Sequence, residues 1–481
     1  MKKRNDKNNK KDINPIKNKS KSRYFTKNNI LFIFIPITIC INIYLINNNP
    51  TILQLRKKIQ ELEVKLENID KEAVTKKINI ALINDYLYVN GIARFLTVLS
   101  DLLVKTGKFE VFLITEQATE VDFSYNKKVK RIEQKKELQT LIDFDEANDI
   151  DIYILNNDLS DSINIYHSLG KKVIGIFHGV FLSCIFNNET KIYRNFKKIS
   201  EVDSYVHVIP DDYYIYKKFG FLNSIFIPNI YTFESSNTPS SPLTFNNILM
   251  VGRVDDSIKG AQFGILAMAE ILKEVPDAKL TIVSLNTPEN LKNLSKELNI
   301  EESIYWPGFS TNISEFYLNT SVLLVTSVSE SFPMVMNEGK AYGLPIVAFN
   351  IEYSPSFQSG VILVDMFDYN AMAKETIKLL KDYKYRKRKG KDAKLSLNNI
   401  FNNNKTIDIW DKLFNALLGD KDDYKKLQEE VEKKFYNETV AKARIEKHYH
   451  YGQQYNEYFR CHSFENFTNL TYLNNIETCP V

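Results

Sequence analysis

The chain has 481 residues, 44% of them hydrophobic, with 63 Lys and Arg against 59 Asp and Glu. That length holds two substantial domains plus accessory segments. A formal net charge of +4 is too small to mark a nucleic-acid binder, and the six His and four Cys show no zinc-ligand spacing.

Residues 1–29 carry eleven Lys and Arg against Asp6 and Asp12 and read as a basic cytoplasmic tail. Ile30 to Ile46 is uncharged over 17 residues, the lower limit for a helix that crosses a bilayer. Pro36 and Asn42 interrupt it, and both are tolerated in membrane helices. The basic leader, with no basic residue in the nine positions after the stretch, predicts a single-pass signal anchor at 30–47 with its N-terminus in the cytoplasm. The length of that leader and the lack of a small-residue cleavage site argue against a cleaved signal peptide. The lack of a polar face argues against a buried core helix. Ile52, Leu55, Ile59, Leu62, Leu66, Ile69 and Ala73 then recur at spacings of three and four, a coiled-coil pattern of about three heptads. Residues 50–76 are therefore read as a stem, either pairing two chains into a homodimer or packing as one amphipathic helix.

From residue 78 apolar runs alternate with helical stretches, the mark of a parallel sheet covered on both faces. The expected strands of a first domain (77–234) are Ile78–Ile83, Glu110–Ile114, Ile152–Leu155, Val173–Phe177, Tyr205–Val208 and Ile225–Ile227. Those of a second (243–404) are Ile248–Val251, Lys279–Val283, Val322–Val325, Ile346–Phe349 and Val361–Val364. The Ser/Pro-rich run at 235–242 reads as a linker. A cleft between two such α/β domains is the default small-molecule site. Residues 405–420 contain an amphipathic closing helix, Ile407–Leu418. Residues 421–481 begin as a charged helix and end in an aromatic, Asn-rich tail, for which acceptor binding and a stabilising wrap are the roles considered. Cys40 falls in the span and Cys184 in the expected core. Cys461 and Cys479 fit either a disulfide or two free thiols. Sequons occur, as at Asn437, Asn466 and Asn469, and many are expected by chance in so Asn-rich a chain.

The segment Ser327 to Ala348 carries the most chemistry. Glu330 and Glu338 bracket a loop-to-helix transition after the strand Val322–Val325. Pro333 suits a first helical turn, Ser331 is the expected cap, and Gly343 followed by Pro345 ends the helix. Strand, tight loop and helix together aim unpaired N–H groups into a cleft at the strand's carboxyl end, an arrangement that holds an anion such as phosphate. Glu330 would lie beside that anion. Glu338, about a turn and a half into the helix, would accept hydrogen bonds from ribose hydroxyls.

This segment resembles the signature of the group 1 glycosyltransferases, the large retaining family (family 4) with the GT-B fold. Its hallmark is two glutamates with seven residues between them, preceded by Ser and followed by small residues, Gly and Pro. Here they are Glu330 and Glu338. The usual Glu-Ala appears as Glu338-Gly339, a departure expected to weaken the helix slightly. The alternative, a polar loop before an ordinary solvated helix, is disfavoured by the surrounding Ser, Phe-Pro, Gly and Leu-Pro-Ile-Val.

The resemblance covers about residues 78–418 and implies an α/β fold of two Rossmann-like domains facing across a cleft. It implies a similar Gly-Arg…Lys-Gly pattern at Gly252-Arg253 and Lys259-Gly260, with Arg253 as a forked contact and Lys259 as a point charge on a diphosphate. It implies that His178, at a strand end, contacts the transferred sugar. Gly91, where the family often has Gly-Gly, would let the backbone approach a phosphate; Asn90 before it tolerates positive φ. Catalytic roles thus fall on His178, Glu330, Arg253 and Lys259. Donor binding falls on Gly91, Gly252, Arg253, Lys259, Ser331, Phe332, Pro333 and Glu338. Asp85 and Arg94 are read as structural. Asp143-Phe-Asp145 and Asp149-Ile-Asp151 imitate metal-binding pairs but are read as solvated turn residues, and the family needs neither metal nor cofactor.

The implied function is a membrane-anchored retaining glycosyltransferase. It moves a sugar from a nucleotide diphosphate sugar to an acceptor hydroxyl on a glycan, protein or lipid-linked molecule. A nucleotide-sugar epimerase-like enzyme and a non-catalytic sugar-binding scaffold are the alternatives. Nucleotide sugars are supplied in a secretory lumen and not in a bacterial periplasm, so the predicted orientation points to a Golgi or endoplasmic reticulum membrane of a eukaryote.

Overall fold

The computed structural model describes residues 77–446, apart from 86, 88–89, 117–122, 134–136, 157–161, 180–196, 255–256, 352–359, 399–401 and 444. The expected tail, anchor and stem (1–76), Cys184, and the stretch 447–481 with Cys461 and Cys479 lie outside the described residues. Among the described residues no helix is long and apolar enough to cross a membrane.

Two all-parallel sheets belong to one compact unit that starts at Lys77. The first holds β1 (Ile78–Ile83), β2 (Phe109–Thr115), β3 (Lys130–Glu133), β4 (Ile152–Asn156), β5 (Lys172–Phe177), β6 (Ser204–His207) and β7 (Ser224–Phe226), in the order β3-β2-β1-β4-β5-β6-β7. The second holds β8 (Asn247–Val251), β9 (Lys279–Val283), β10 (Ile304–Tyr305), β11 (Val322–Val325), β12 (Ile346–Phe349) and β13 (Val361–Val364), in the order β10-β9-β8-β11-β12-β13. All expected strands form with ends within one residue of the sequence reading. β3 and β10 were not expected. Both are edge strands, one reading Lys-Arg-Ile-Glu and the other two residues long, so neither carries the apolar run that marks a buried strand. Each sheet reverses its winding beside its first strand, at β1/β4 and at β8/β11. Ligands bind at such switch points, outside the carboxyl ends of the strands.

The helix Met334–Ala341 lies against β11 and β12. A Cβ at Gly339 would stand 2.5 Å from Leu323 Cδ2. The glycine that the sequence reading took as a weakness therefore lets the helix settle onto the sheet. Its end is a Schellman turn: Gly343, at φ +68°, donates to the Lys340 carbonyl at 2.9 Å, and Leu344 donates to Gly339 at 3.0 Å.

Three further readings change. The segment 235–242 is strapped to the second half: Ser241 N–H donates to the Tyr342 carbonyl (2.8 Å), its hydroxyl to Thr320 (2.6 Å), and Lys394 Nζ to Thr238 (2.6 Å). Buried Arg386 fixes the end of this strap, donating to the Leu243 carbonyl at 2.9 Å and to the last carbonyls of the helix Tyr369–Lys381. Asp143 and Asp145 are helical, within Leu138–Asn148. Asp145 is buried, accepts from Tyr153 Oη at 2.9 Å and pairs with Lys171. Asp151 accepts from Asn79 N–H at 2.8 Å. Asp145 and Asp151 are therefore fastening points, whereas Asp143 is exposed on its helix and Asp149 is exposed at the left-handed end of that helix.

The helix Asn403–Leu418 belongs by packing to the first half, where Trp410, Leu413 and Phe414 join the core and Phe414 meets Phe109 edge-on at 5.4 Å. Asn403 anchors its start by two hydrogen bonds to the Tyr231 backbone. The next helix, Lys421–Phe435, covers the β7 edge. Gln428 donates to the Leu222 and Ser224 carbonyls, Tyr424 Oη lies 2.9 Å from the Asn223 carbonyl, and Phe435 packs on Phe226. Covering an edge in this way removes a template for unwanted strand pairing.

Candidate active site

The loops at the carboxyl ends of β8 and β11 are tied to each other by backbone. Thr326 Oγ1 donates to the Lys259 carbonyl at 2.7 Å, and Val328 N–H to Ile258 at 2.8 Å. Gly260 sits at φ +57°, ψ +36°, and a Cβ there would come within 2.5 Å of the Thr326 carbonyl oxygen. Only glycine meets both demands, left-handed backbone and a close approach. The helix Ala261–Glu274 starts from it, and Lys259, just before it, points into the crevice.

The crevice is a cleft of about 430 Å³. Of the residues singled out from sequence, Gly91, Gly252, Arg253, Lys259, Glu330, Phe332, Pro333 and Glu338 line it. Lys259 Nζ contacts Glu330 Oε1 at 2.5 Å with both side chains largely buried, and Arg253 is exposed at the lip. The first N–H groups of a helix have no acceptor within it, and Pro333, Met334 and Val335 bring that end of the helix Met334–Ala341 to the cleft wall. One ammonium, one guanidinium and a helix N-terminus therefore face a shared space, which suits a polyanion.

Glu338 is 8% exposed and accepts a hydrogen bond from Tyr317 Oη at 2.7 Å. Burial raises its pKa, opposed by the charge of Arg94 and by the Tyr317 bond. Tyr317 is itself stacked on Tyr342 at 5.1 Å. A carboxylate so held has one oxygen committed and retains acceptor capacity for a sugar hydroxyl.

Two residues differ from their expected roles. Ser331 does not cap the helix; Pro333 holds that position, and the Ser331 hydroxyl donates instead to the His178 carbonyl at 2.5 Å, joining the halves. His178 lies beside the cleft and outside its lining. Its Nε2 is 2.9 Å from Asn156 Oδ1, and its ring meets Phe95 edge-on at 4.8 Å. Asn156 uses its amide N–H on the Ile83 carbonyl, so its oxygen is the acceptor and His178 Nε2 carries the proton. Burial pushes the His178 pKa down to about 3, so the ring is neutral at physiological pH.

In the first half, Asn90 is extended at φ −150° and not in the left-handed region. It caps the helix Gly91–Lys105 by accepting from Ala93 N–H at 2.8 Å. At Gly91 an added Cβ would stand 3.9 Å from Met334 Sδ, so the two helix starts face each other closely. The sequence reading took Arg94 as structural and did not name Phe123 or Phe309. Arg94 lines the cleft with its guanidinium over the Phe123 ring at 5.0 Å, and Phe123 meets Phe309 edge-on at 6.4 Å. Arg94 stands one turn on from Asn90 and so shares its helix face, a spacing that was available to find it.

Residues 233–396 match the family described as glycosyl transferases group 1. This segment of the second half is thus similar to the group 1 glycosyl transferases. An uncharacterised glycosyltransferase of Haemophilus influenzae is 31% identical over 230 residues, 47% of this chain and 62% of its own length. The N-acetyl-alpha-D-glucosaminyl L-malate synthase of Bacillus anthracis is 30% identical over 180 residues, 36% of this chain and 45% of its own. The matches thus span less than two thirds of these curated relatives. Among solved structures, sucrose-phosphate synthase from Thermosynechococcus elongatus aligns with a TM-score of 0.60 at 17% identity, covering 71% of this chain and 99% of that one. Anabaena HepE in complex with UDP and glucose aligns at 0.57 and 13%, covering 70% and 99%. At such identities the likeness speaks for the fold, the two-sheet GT-B architecture. The glycosyl transferase segment contains Arg253, Lys259, Glu330 and Glu338, whereas Gly91, Arg94 and His178 lie outside it.

Proposed function

We propose that the chain is a glycosyltransferase that moves a sugar from a nucleoside diphosphate sugar to an acceptor hydroxyl, with retention at the anomeric carbon. The observation that carries this reading is the meeting of Lys259, Arg253, Glu330 and the motif-helix N-terminus in one cleft, with Glu338 in its wall. In this reading Lys259 and Arg253 neutralise the charge that builds on the departing diphosphate, so no metal ion is called for. Glu330 holds Lys259 in place and stands beside the sugar and phosphate; Glu338 takes the ribose. Gly91 lets the first half approach the donor, and closure over the cleft excludes the water that would hydrolyse it. His178, neutral and fixed on Asn156, braces the first half where Ser331 joins it.

Membrane anchoring belongs to the same proposal, supported by the uncharged run Ile30 to Ile46 and the basic residues ahead of it. Donor chemistry then requires the cleft to face a compartment that holds nucleotide sugars, as a Golgi or endoplasmic reticulum lumen does.

The test is transfer from a panel of nucleotide sugars to a mixed glycan acceptor pool by the wild type, Lys259→Ala and Arg253→Ala. Lys259→Ala is expected to lower transfer about a hundredfold, the scale of losing one preorganised donor at a developing anion. Arg253→Ala, more exposed, should lower it about tenfold, or ~1.4 kcal/mol. Unchanged turnover in both variants would refute the assignment. Donor epimerisation or hydrolysis with no acceptor requirement would move the reading to a donor-processing enzyme.

A further inference from the structure

The helix Tyr383–Asn398 holds seven Lys and Arg against one acid, Asp392, a surplus larger than the +4 of the whole chain. Buried Arg386 takes its inner face. Lys384, Lys387, Arg388 and Lys391 are exposed, and their spacing sets them along one side of the helix. Among the described residues none of these four forms an ion pair. The preceding helix, Tyr369–Lys381, repeats the pattern with Lys374, Lys378 and Lys381, again exposed and on one face. There Lys378 reaches Glu375 only at 4.0 Å, and Lys381 pairs with Glu274. Tyr385 joins the two faces. Lys378 Nζ lies 4.7 Å from its ring centroid, Arg388 Cζ 5.3 Å and Lys389 Nζ 5.8 Å. Each cation is drawn to the ring, yet three of them around it repel one another, and a bound anion would relieve them.

The helix Tyr369–Lys381 follows β13, whose carboxyl end lies on the same edge of the all-parallel sheet as those of β8 and β11. It therefore starts at the level of the cleft. It ends at the opposite edge, where its last carbonyls share Arg386 with the Leu243 carbonyl ahead of β8. The motif helix spans the same height, from Pro333 at the cleft wall to the Gly343 turn. A Cβ on Gly390 of the basic helix would stand 2.1 Å from the Gly343 carbonyl oxygen. The cations thus form a track down one flank of the second half and along its base.

We propose that this track binds an acidic glycan chain, and that this chain is the acceptor, a role that rests on the glycosyltransferase reading of the cleft. A small anion would use one cluster, whereas cations repeated over two helices match a polymer with carboxylates repeated along it. A bilayer surface calls for apolar anchors among the cations; the exposed apolar residues of the basic helix, Tyr383 and Leu395, stand at opposite ends of its stripe. Holding the chain on the flank raises its effective concentration at the cleft.

Acetylation of lysine amines in the full chain, reconstituted in phosphatidylcholine bilayers and read residue by residue by mass spectrometry, tests the track. Polygalacturonate is the acidic chain and dextran the neutral one. Phosphatidylserine in the bilayer and a single-stranded oligodeoxynucleotide are the rival polyanions. Polygalacturonate is expected to slow labelling of Lys378, Lys384, Lys387 and Lys391 about fivefold at low ionic strength, an effect that about 0.5 M salt removes. Lys426, exposed on the helix Lys421–Phe435, should label as before. Unchanged labelling, equal protection by dextran, or stronger protection by phosphatidylserine or the oligonucleotide would each overturn the proposal. The acceptor role has its own readout. The triple variant Lys384→Gln, Lys387→Gln, Lys391→Gln should raise KM for long acidic acceptors about tenfold, with kcat and the KM for short neutral acceptors unchanged. An unchanged KM for the long acidic chains would remove that role. Absence of transfer by the wild type to any acceptor would bring down the glycosyltransferase reading, while the labelling result would still decide whether the track holds an acidic chain.

Discussion

The two halves share the order of their first six strands and differ in what holds them together. In the second half the site is built by close backbone approaches: Gly260 against the Thr326 carbonyl, Gly339 against Leu323, and the Gly343 turn. At Gly260 and Gly343 the left-handed backbone favours glycine, so the geometry leaves a residue-by-residue trace in the sequence. The first half is held by large side chains. Tyr153 stacks on Tyr166 at 3.8 Å, and His207 lies among Phe177, Tyr205, Tyr213 and Tyr216. Many combinations of aromatic and aliphatic residues fill such a space equally well. A site made of backbone is written in the sequence, and a site made of packed side chains is written only in three dimensions.

The sharpest way to break this comparison is Gly260→Ala. The left-handed backbone and the approach to a carbonyl that cannot step aside predict a loss of about 3 kcal/mol of stability. Transfer should fall with it, because Lys259 moves with the turn. Urea denaturation measures the first effect and a transfer assay the second; full stability and activity in this variant would remove the contrast between the halves.

A smaller effect is expected where the halves meet. Ser331→Ala deletes the hydroxyl bond to the His178 carbonyl, worth about 1 kcal/mol, or roughly fivefold in nucleotide affinity if closure carries binding. Calorimetry on the variant reads it directly, and an unchanged affinity would show that this bond does not contribute to closure. The smallest is Tyr424→Phe on the β7 edge. The ring stays and the hydroxyl goes, so thermal unfolding should register about 0.5 kcal/mol with transfer unchanged. A large loss there would show that the first half is as exacting as the second.

The sequence-level reading succeeded where one residue type meets one physical demand. Every strand expected between residues 78 and 364 formed, because strands buried on both faces need continuous apolar residues. Glu330 and Glu338 were legible from the strand-loop-helix motif and Arg253 and Lys259 from the family resemblance, and all four line one cleft. The misses have causes of the same kind. β3 and β10 lie at sheet edges and need no apolar run. Ser331 was assigned to the nearest helix, while its acceptor, His178, lies 153 residues away in sequence. Asn90 was read for its tolerance of positive φ and turned out to cap a helix, an equally common use of Asn. Arg94 was read as structural, although it stands one turn on from Asn90 on a helix that opens at the cleft.

The helix Asn403–Leu418 has a consequence for biosynthesis. Trp410, Leu413 and Phe414 complete a core whose strands were all made before the second half began. On the ribosome, a nascent first half must wait, with that apolar seat uncovered, until the rest of the chain has been translated. Maturation of the two lobes is therefore not sequential from the amino terminus, and a premature stop codon ahead of residue 403 would spoil the lobe that was synthesised first.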